Sequence, residues 1–151
     1  MDFNTQKHNM KNITGSLTTY LAATILLSFG FVYLFRNSFM PYHSAALRLA
    51  WTQVDPDTQY LFLALMKATA GGFISLSFAI IFLQYKFTIH KIPWIPVLIL
   101  LIGTISMICT SWATIIISSH TPGRPPVEDA VIGEVLLIVG FIFNRKYLRK
   151  A

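Results

Sequence analysis

Apolar residues gather in four long runs separated by short polar intervals. The first is Ser16 to Phe35, "SLTTYLAATILLSFGFVYLF"; the others cover 60–83, 92–117 and 127–143. A helix rises about 1.5 Å per residue, so about 20 apolar residues cross a ~30 Å hydrocarbon core. The first three runs meet that length. The fourth is shorter and begins with Glu128 and Asp129, so it crosses only where those carboxylates sit at headgroup level or the bilayer thins. The expected fold is an all-α integral membrane protein, a single domain built as an antiparallel four-transmembrane-helix bundle.

The polar intervals carry helix punctuation. "DPDTQ" offers Asp55 as an N-cap and Pro56 at the first helical position of the second span. "TPGRPPVED" breaks the chain, then sets Glu128 and Asp129 in the first turn of the fourth span, where they complement the helix dipole. Between the first two spans, "MPYHSAALRLAW" predicts a short interfacial helix over about 41–51. Tyr42, Ala45, Ala46, Leu49 and Ala50 share one face, with His43, Ser44, Leu47 and Arg48 toward the other.

Composition sharpens the class. Of 151 residues, 54% are hydrophobic and 12% charged, against roughly 25% charged in soluble domains. The net charge of +6 does not point to nucleic acid, because the basic residues flank apolar runs and do not interleave with aromatics on a polar face. They instead predict topology. Lys7, Lys11, Lys86, Lys91, Arg145, Lys146, Arg149 and Lys150 fall on one side; Arg36, Arg48 and Arg124 fall on the other. This places the chain in the cell membrane with both termini cytoplasmic. The first run exceeds the 7–15 residues of a signal-peptide core and is read as a retained span. The one cysteine, Cys109, lies within an apolar run and offers neither a disulfide nor a thiolate metal site.

Lys67 is the twelfth basic residue, and it lies inside the second run. An ammonium group at mid-membrane costs roughly 2.5–3.5 kcal/mol, less where the side chain snorkels outward. Glu134 lies seven residues into the fourth run, as Lys67 lies seven residues beyond Tyr60 in the second. Ionisable groups within spans face the bundle interior and pair, so an intramembrane Lys67–Glu134 ion pair is expected. The alternative for Glu134 is protonation by burial. A stripe of Ala64, Ala68, Gly72, Ser75 and Ala79 beside Lys67 predicts close helix packing on that side.

Other polar groups converge on the same level. Tyr33 and Asn37 come from the first span; Gly103, Ser106, Thr110 and Thr114 form a stripe on the third, with Ser111 and Trp112 beside it. A polar pocket in the outer half of the bundle follows, with Lys67, Glu134, His43, Tyr33, Thr110, Trp112 and Arg124 as candidate ligand-binding or coupling residues. His43 and His120 lack diagnostic metal-site spacing, and no phosphate-binding, zinc-protease or hydrolase motif occurs. No catalytic residue, metal or cofactor is assigned. The favoured function is binding of a small molecule or lipid from the bilayer, or service as an accessory subunit. A proton-coupled transporter is the first alternative; with four spans it requires a homo-oligomer. An enzyme acting on a lipophilic substrate, using His43, Lys67, Glu134 and Arg124, is the second.

Overall fold

The computed structural model describes residues 3–149, with side chains for residues 13–149. Five α-helices lie among those residues: α1 (Phe3–Phe35), α2 (Pro41–Leu47), α3 (Pro56–His90), α4 (Ile95–His120) and α5 (Val127–Leu148). A 3-10 turn covers Trp51–Gln53. Three helices are long and apolar enough to cross a membrane: α1 over Ile13–Phe35, α3 and α4. Helix α5 carries two acids in its first turn, two basic residues in its last and Glu134 between them. Lys7 and Lys11, whose side chains bear on topology, and Lys150 fall outside the described side chains.

Local chemistry sets the boundaries. Asp55 caps α3 by accepting the Thr58 N–H at 2.9 Å, and Pro56 supplies the preset first position. That bond holds the Asp55 carboxyl below the usual carboxylate range. Helix α3 ends where Lys91 turns left-handed (φ 52°), so α4 starts at Ile95 and not at Ile92. The interfacial helix predicted over 41–51 forms only over Pro41–Leu47, because Arg48 also turns left-handed (φ 57°). Both α1 and α3 outrun their apolar runs. At 35 residues, α3 is about 52 Å long.

Packing follows a constant antiparallel register. Helix α1 has the most extensive contacts, with α3 on one side and α5 on the other; α4 packs on α5 and, least extensively, on α3. Between α1 and α5, Gly15 faces Asn144 and Gly140 faces Thr19, each glycine receiving a side chain from the facing helix. Thr19 is buried and donates to the Gly15 carbonyl at 2.9 Å. Between α1 and α3, Gly30 meets Ile74 and Ser77 donates to the Ala23 carbonyl at 2.8 Å. Between α4 and α5, Gly103 meets Leu137 and Gly133 meets Met107. Small residues at these crossings admit close backbone approach, which drives association where lipid removes the hydrophobic advantage.

The predicted small-residue stripe on α3 does not take part. Ala64, Ala68, Gly72, Ser75 and Ala79 are all exposed, and nothing lies within 4 Å of a Cβ built on Gly72. The buried face of α3 is Met66, Ala70, Ser77, Ile80, Gln84 and Phe87, rotated from that stripe. Small residues permit close packing without specifying which small face is used; at this crossing the small position is Gly30 of α1, which receives Ile74 of α3.

These environments predict opposite signs for one substitution. Gly72→Ala should raise stability by up to about 1 kcal/mol through helix propensity. Gly140→Ala should lower it by roughly 1–3 kcal/mol, because the new methyl meets the buried Thr19 hydroxyl. Unfolding by sodium dodecyl sulfate in mixed micelles reads both.

Candidate functional site

The end of the molecule that carries α2 holds a cluster of aromatic and titratable groups. The chain leaving α1 folds back through Phe39, which is buried against the Trp51 and Phe62 rings (centroids 4.6 and 4.9 Å). Edge-to-face aromatic pairs add about 0.5–1.5 kcal/mol each to the burial of their surface. This cluster ties α2 to the start of α3. On its other side, α2 rests on the α4–α5 loop: a Cβ on the buried Gly123 would lie 2.6 Å from the Tyr42 carbonyl. Helix α2 therefore roofs the space between the long helices.

Beneath that roof lies a small interhelical cleft. Ile25, Phe29 and Phe73 make its apolar wall, while Tyr33, Tyr42, Thr110, Thr114 and Asp129 bring polar atoms to it. The Tyr33 and Tyr42 hydroxyls hydrogen-bond to each other across α1 and α2. Burial, then the Tyr33 bond, pushes the Tyr42 phenol well above its ordinary value, so Tyr42 stays a neutral phenol. His43 stands beside Tyr42, ring centroids 4.2 Å apart. Its Nδ1 accepts the Met40 N–H at 3.3 Å. Burial, then the nearby Arg36 cation, lowers its pKa below the usual 6.5, so His43 is held neutral.

Of the predicted site residues, Tyr33 and Thr110 line this cleft and His43 backs it. Arg124 is exposed on the α4–α5 loop. Trp112 is 66% exposed and lines a separate lateral groove between α4 and α5. Tyr42, Phe73 and Asp129 line the cleft unforeseen. Tyr42 had been assigned to the interface and Asp129 to helix capping, and both assignments left their side chains free of the interior.

The expected Lys67–Glu134 ion pair does not form. The Lys67 ammonium donates to the Leu34 carbonyl and, at 2.9 Å, to the Arg36 carbonyl. It thus caps the C-terminal end of α1, where orphan carbonyls and the helix dipole present negative charge. Glu134 accepts from the Thr104 hydroxyl at 2.7 Å through Oε1, while its buried Oε2 has no hydrogen-bond partner among the described residues. Similar depth along two helices did not bring the groups together, because they project in different directions around the bundle: Lys67 reaches the end of α1, while Glu134 meets Thr104 of α4.

A second polar centre, at the opposite end of the molecule, was missed. Gln84, fully buried on α3, donates to the Ser16 hydroxyl of α1 at 3.1 Å and accepts from the buried Asn144 of α5 at 2.9 Å. Gln84 and Asn144 each stand one residue beyond the apolar run of their helix, where they read as span ends. Face spacing was the available signal: Gly133, Leu137, Gly140 and Asn144 recur on one side of α5, and all are buried. This network fixes three helices together and has no cavity beside it in the clefts described.

Comparison with family models, with curated proteins and with solved structures finds no match to this chain. The site therefore stands on its own geometry.

Two outcomes follow. Lys67→Met should destabilise the protein by about 2 kcal/mol through lost charge-assisted hydrogen bonds. Combined with Glu134→Gln in a double-mutant cycle, it should show coupling within about 0.5 kcal/mol of zero; an ion pair would give more. Second, because the folded-state pKa of His43 is depressed, its contribution is complete above the ordinary pKa. It is lost as pH falls from about 6.5 toward the lower folded value. The melting temperature in detergent should drop over that interval, and His43→Gln should flatten the drop.

Proposed function

We propose that this chain is a multi-pass protein of the cell membrane, with α1, α3, α4 and α5 as four spans and α2 at the extracytoplasmic surface. Its function is to hold a lipophilic small molecule or lipid chain in the α2-roofed cleft. The fourth span is supported by the 22-residue length of α5, about 33 Å, with its acids and bases at its two ends. Glu134 turns one oxygen to Thr104 and so relieves part of its cost in hydrocarbon. The distribution of basic residues supports cytoplasmic termini.

The observation that carries the binding function is the cleft itself. Apolar walls with a few convergent polar groups are the composition of small-molecule sites. Ile25, Phe29 and Phe73 give the cleft apolar walls suited to the end of an acyl chain or a compact lipophile. The joined Tyr33 and Tyr42 hydroxyls offer one free donor or acceptor to orient the polar end. A ligand enters by displacement of α2, whose junction at Arg48 is a non-glycine residue in left-handed conformation.

Native mass spectrometry of the protein extracted in mild detergent tests this. A retained lipophile of defined mass is expected on the wild-type chain. Thr110→Phe, which fills the cleft, should lower its occupancy at least tenfold. Ala79→Phe, on the exposed face of α3, should leave it unchanged. Equal occupancy in all three proteins contradicts the proposal.

A further inference from the structure

The lateral groove between α4 and α5 presents different chemistry from the roofed cleft. It is a wide, open groove of about 470 Å³. Thr104, Ile108, Ser111, Trp112 and Ile115 recur at helical spacing along its α4 wall; Val131, Glu134 and Val135 supply the α5 wall. Met107 and Ala130 border both cavities, but Glu134 borders only the groove.

Glu134 is half-satisfied. Thr104 fixes Oε1, whereas Oε2 is buried and unpartnered. A carboxylate taken out of water is costly unless paired. The chain's one cation within an apolar run, Lys67, is committed to the carbonyls of α1. No described cation is bonded to Glu134, so the positive charge that complements its ionised form would come from outside the chain. Calcium takes about six to eight oxygen ligands and zinc about four ligands rich in His or Cys, and the groove offers only the carboxylate and the Thr104 and Ser111 hydroxyls. An organic cation has no such need. Its apolar substituents suit Ile108, Ile115, Val131 and Val135, and its charge suits the face of the Trp112 indole.

We infer that the α4–α5 groove is a binding site for a lipophilic organic cation, a quaternary ammonium or phosphonium, with Glu134 as its counter-ion and Trp112 as its aromatic wall. Thr104 holds the carboxylate through Oε1, and the ligand's charge is met by the Glu134 side chain where it lines the groove. The inference does not rest on occupancy of the roofed cleft, since its charged anchor lies outside that cleft.

Equilibrium dialysis with radiolabelled tetraphenylphosphonium, on the full-length protein in dodecyl maltoside, provides the test. This detergent has no cationic headgroup to compete. Saturable binding to the wild-type chain is expected. Glu134→Gln should weaken it at least tenfold, and Trp112→Ala about fivefold, consistent with a cation–π contact. Glu128→Gln, at the exposed start of α5, should leave it unchanged. Neutral triphenylphosphine oxide should fail to displace the label. Because Trp112 is mostly exposed, its substitution keeps the test decisive even where Glu134→Gln folds poorly. Equal binding by wild type, Glu134→Gln and Trp112→Ala, absence of saturable binding to the wild type, or full displacement by the neutral oxide overturns the inference.

Discussion

One hydrogen-bonded junction organises the end of this molecule that carries α2: the Lys67 ammonium on the Leu34 and Arg36 carbonyls where α1 ends. A helix ending at a membrane boundary leaves carbonyls without partners, and a lysine buried among apolar residues lacks an anion. Each group removes the other's cost. The junction ties the outer end of α1 to α3 and fixes where the chain turns toward Phe39 and α2. The aromatic cluster of Phe39, Trp51 and Phe62 then builds on a defined start. The roof over the cleft thus depends on a charge that first looks like a liability.

The same junction explains why two cavities of unlike character lie side by side. With Lys67 satisfied by backbone, Glu134 receives no cation among the described residues and keeps one buried, unpartnered oxygen beside the α4–α5 groove that its side chain lines. The roofed cleft is left to neutral donors and acceptors, chiefly the Tyr33–Tyr42 pair and Thr110, with Asp129 at α5. The side chains of Met107 and Ala130 border both spaces, with the Glu134 carboxylate on the groove side alone.

Much of the fold was legible in the chain. Apolar runs located the long helices, Asp55 and Pro56 located the start of α3, and the loop chemistry located α2 and α5. Tyr33 and Thr110 were correctly drawn to one cavity by helical spacing. Partner choice was not legible. Depth along a helix says nothing of azimuth, so Lys67 and Glu134 seemed matched while their neighbours were Leu34 and Thr104. The packing face of α3 was not legible for a related reason: small residues occur on two sides of α3, and the contact forms where Ile74 enters at Gly30 of α1. Gln84 and Asn144 escaped notice because hydropathy truncates a span at its first polar residue, even when that residue continues the buried face.

The central claim is that Lys67 is neutralised by the end of α1. Its most direct measurement is nuclear magnetic resonance of the protein in micelles, with lysine ¹⁵N and carbonyl ¹³C labels, detecting scalar couplings transmitted through ammonium hydrogen bonds. Couplings from Lys67 Nζ to the Leu34 and Arg36 carbonyl carbons are predicted. A coupling to the Glu134 carboxyl carbon, or a Lys67 ammonium exchanging as freely as an exposed lysine, would contradict the account.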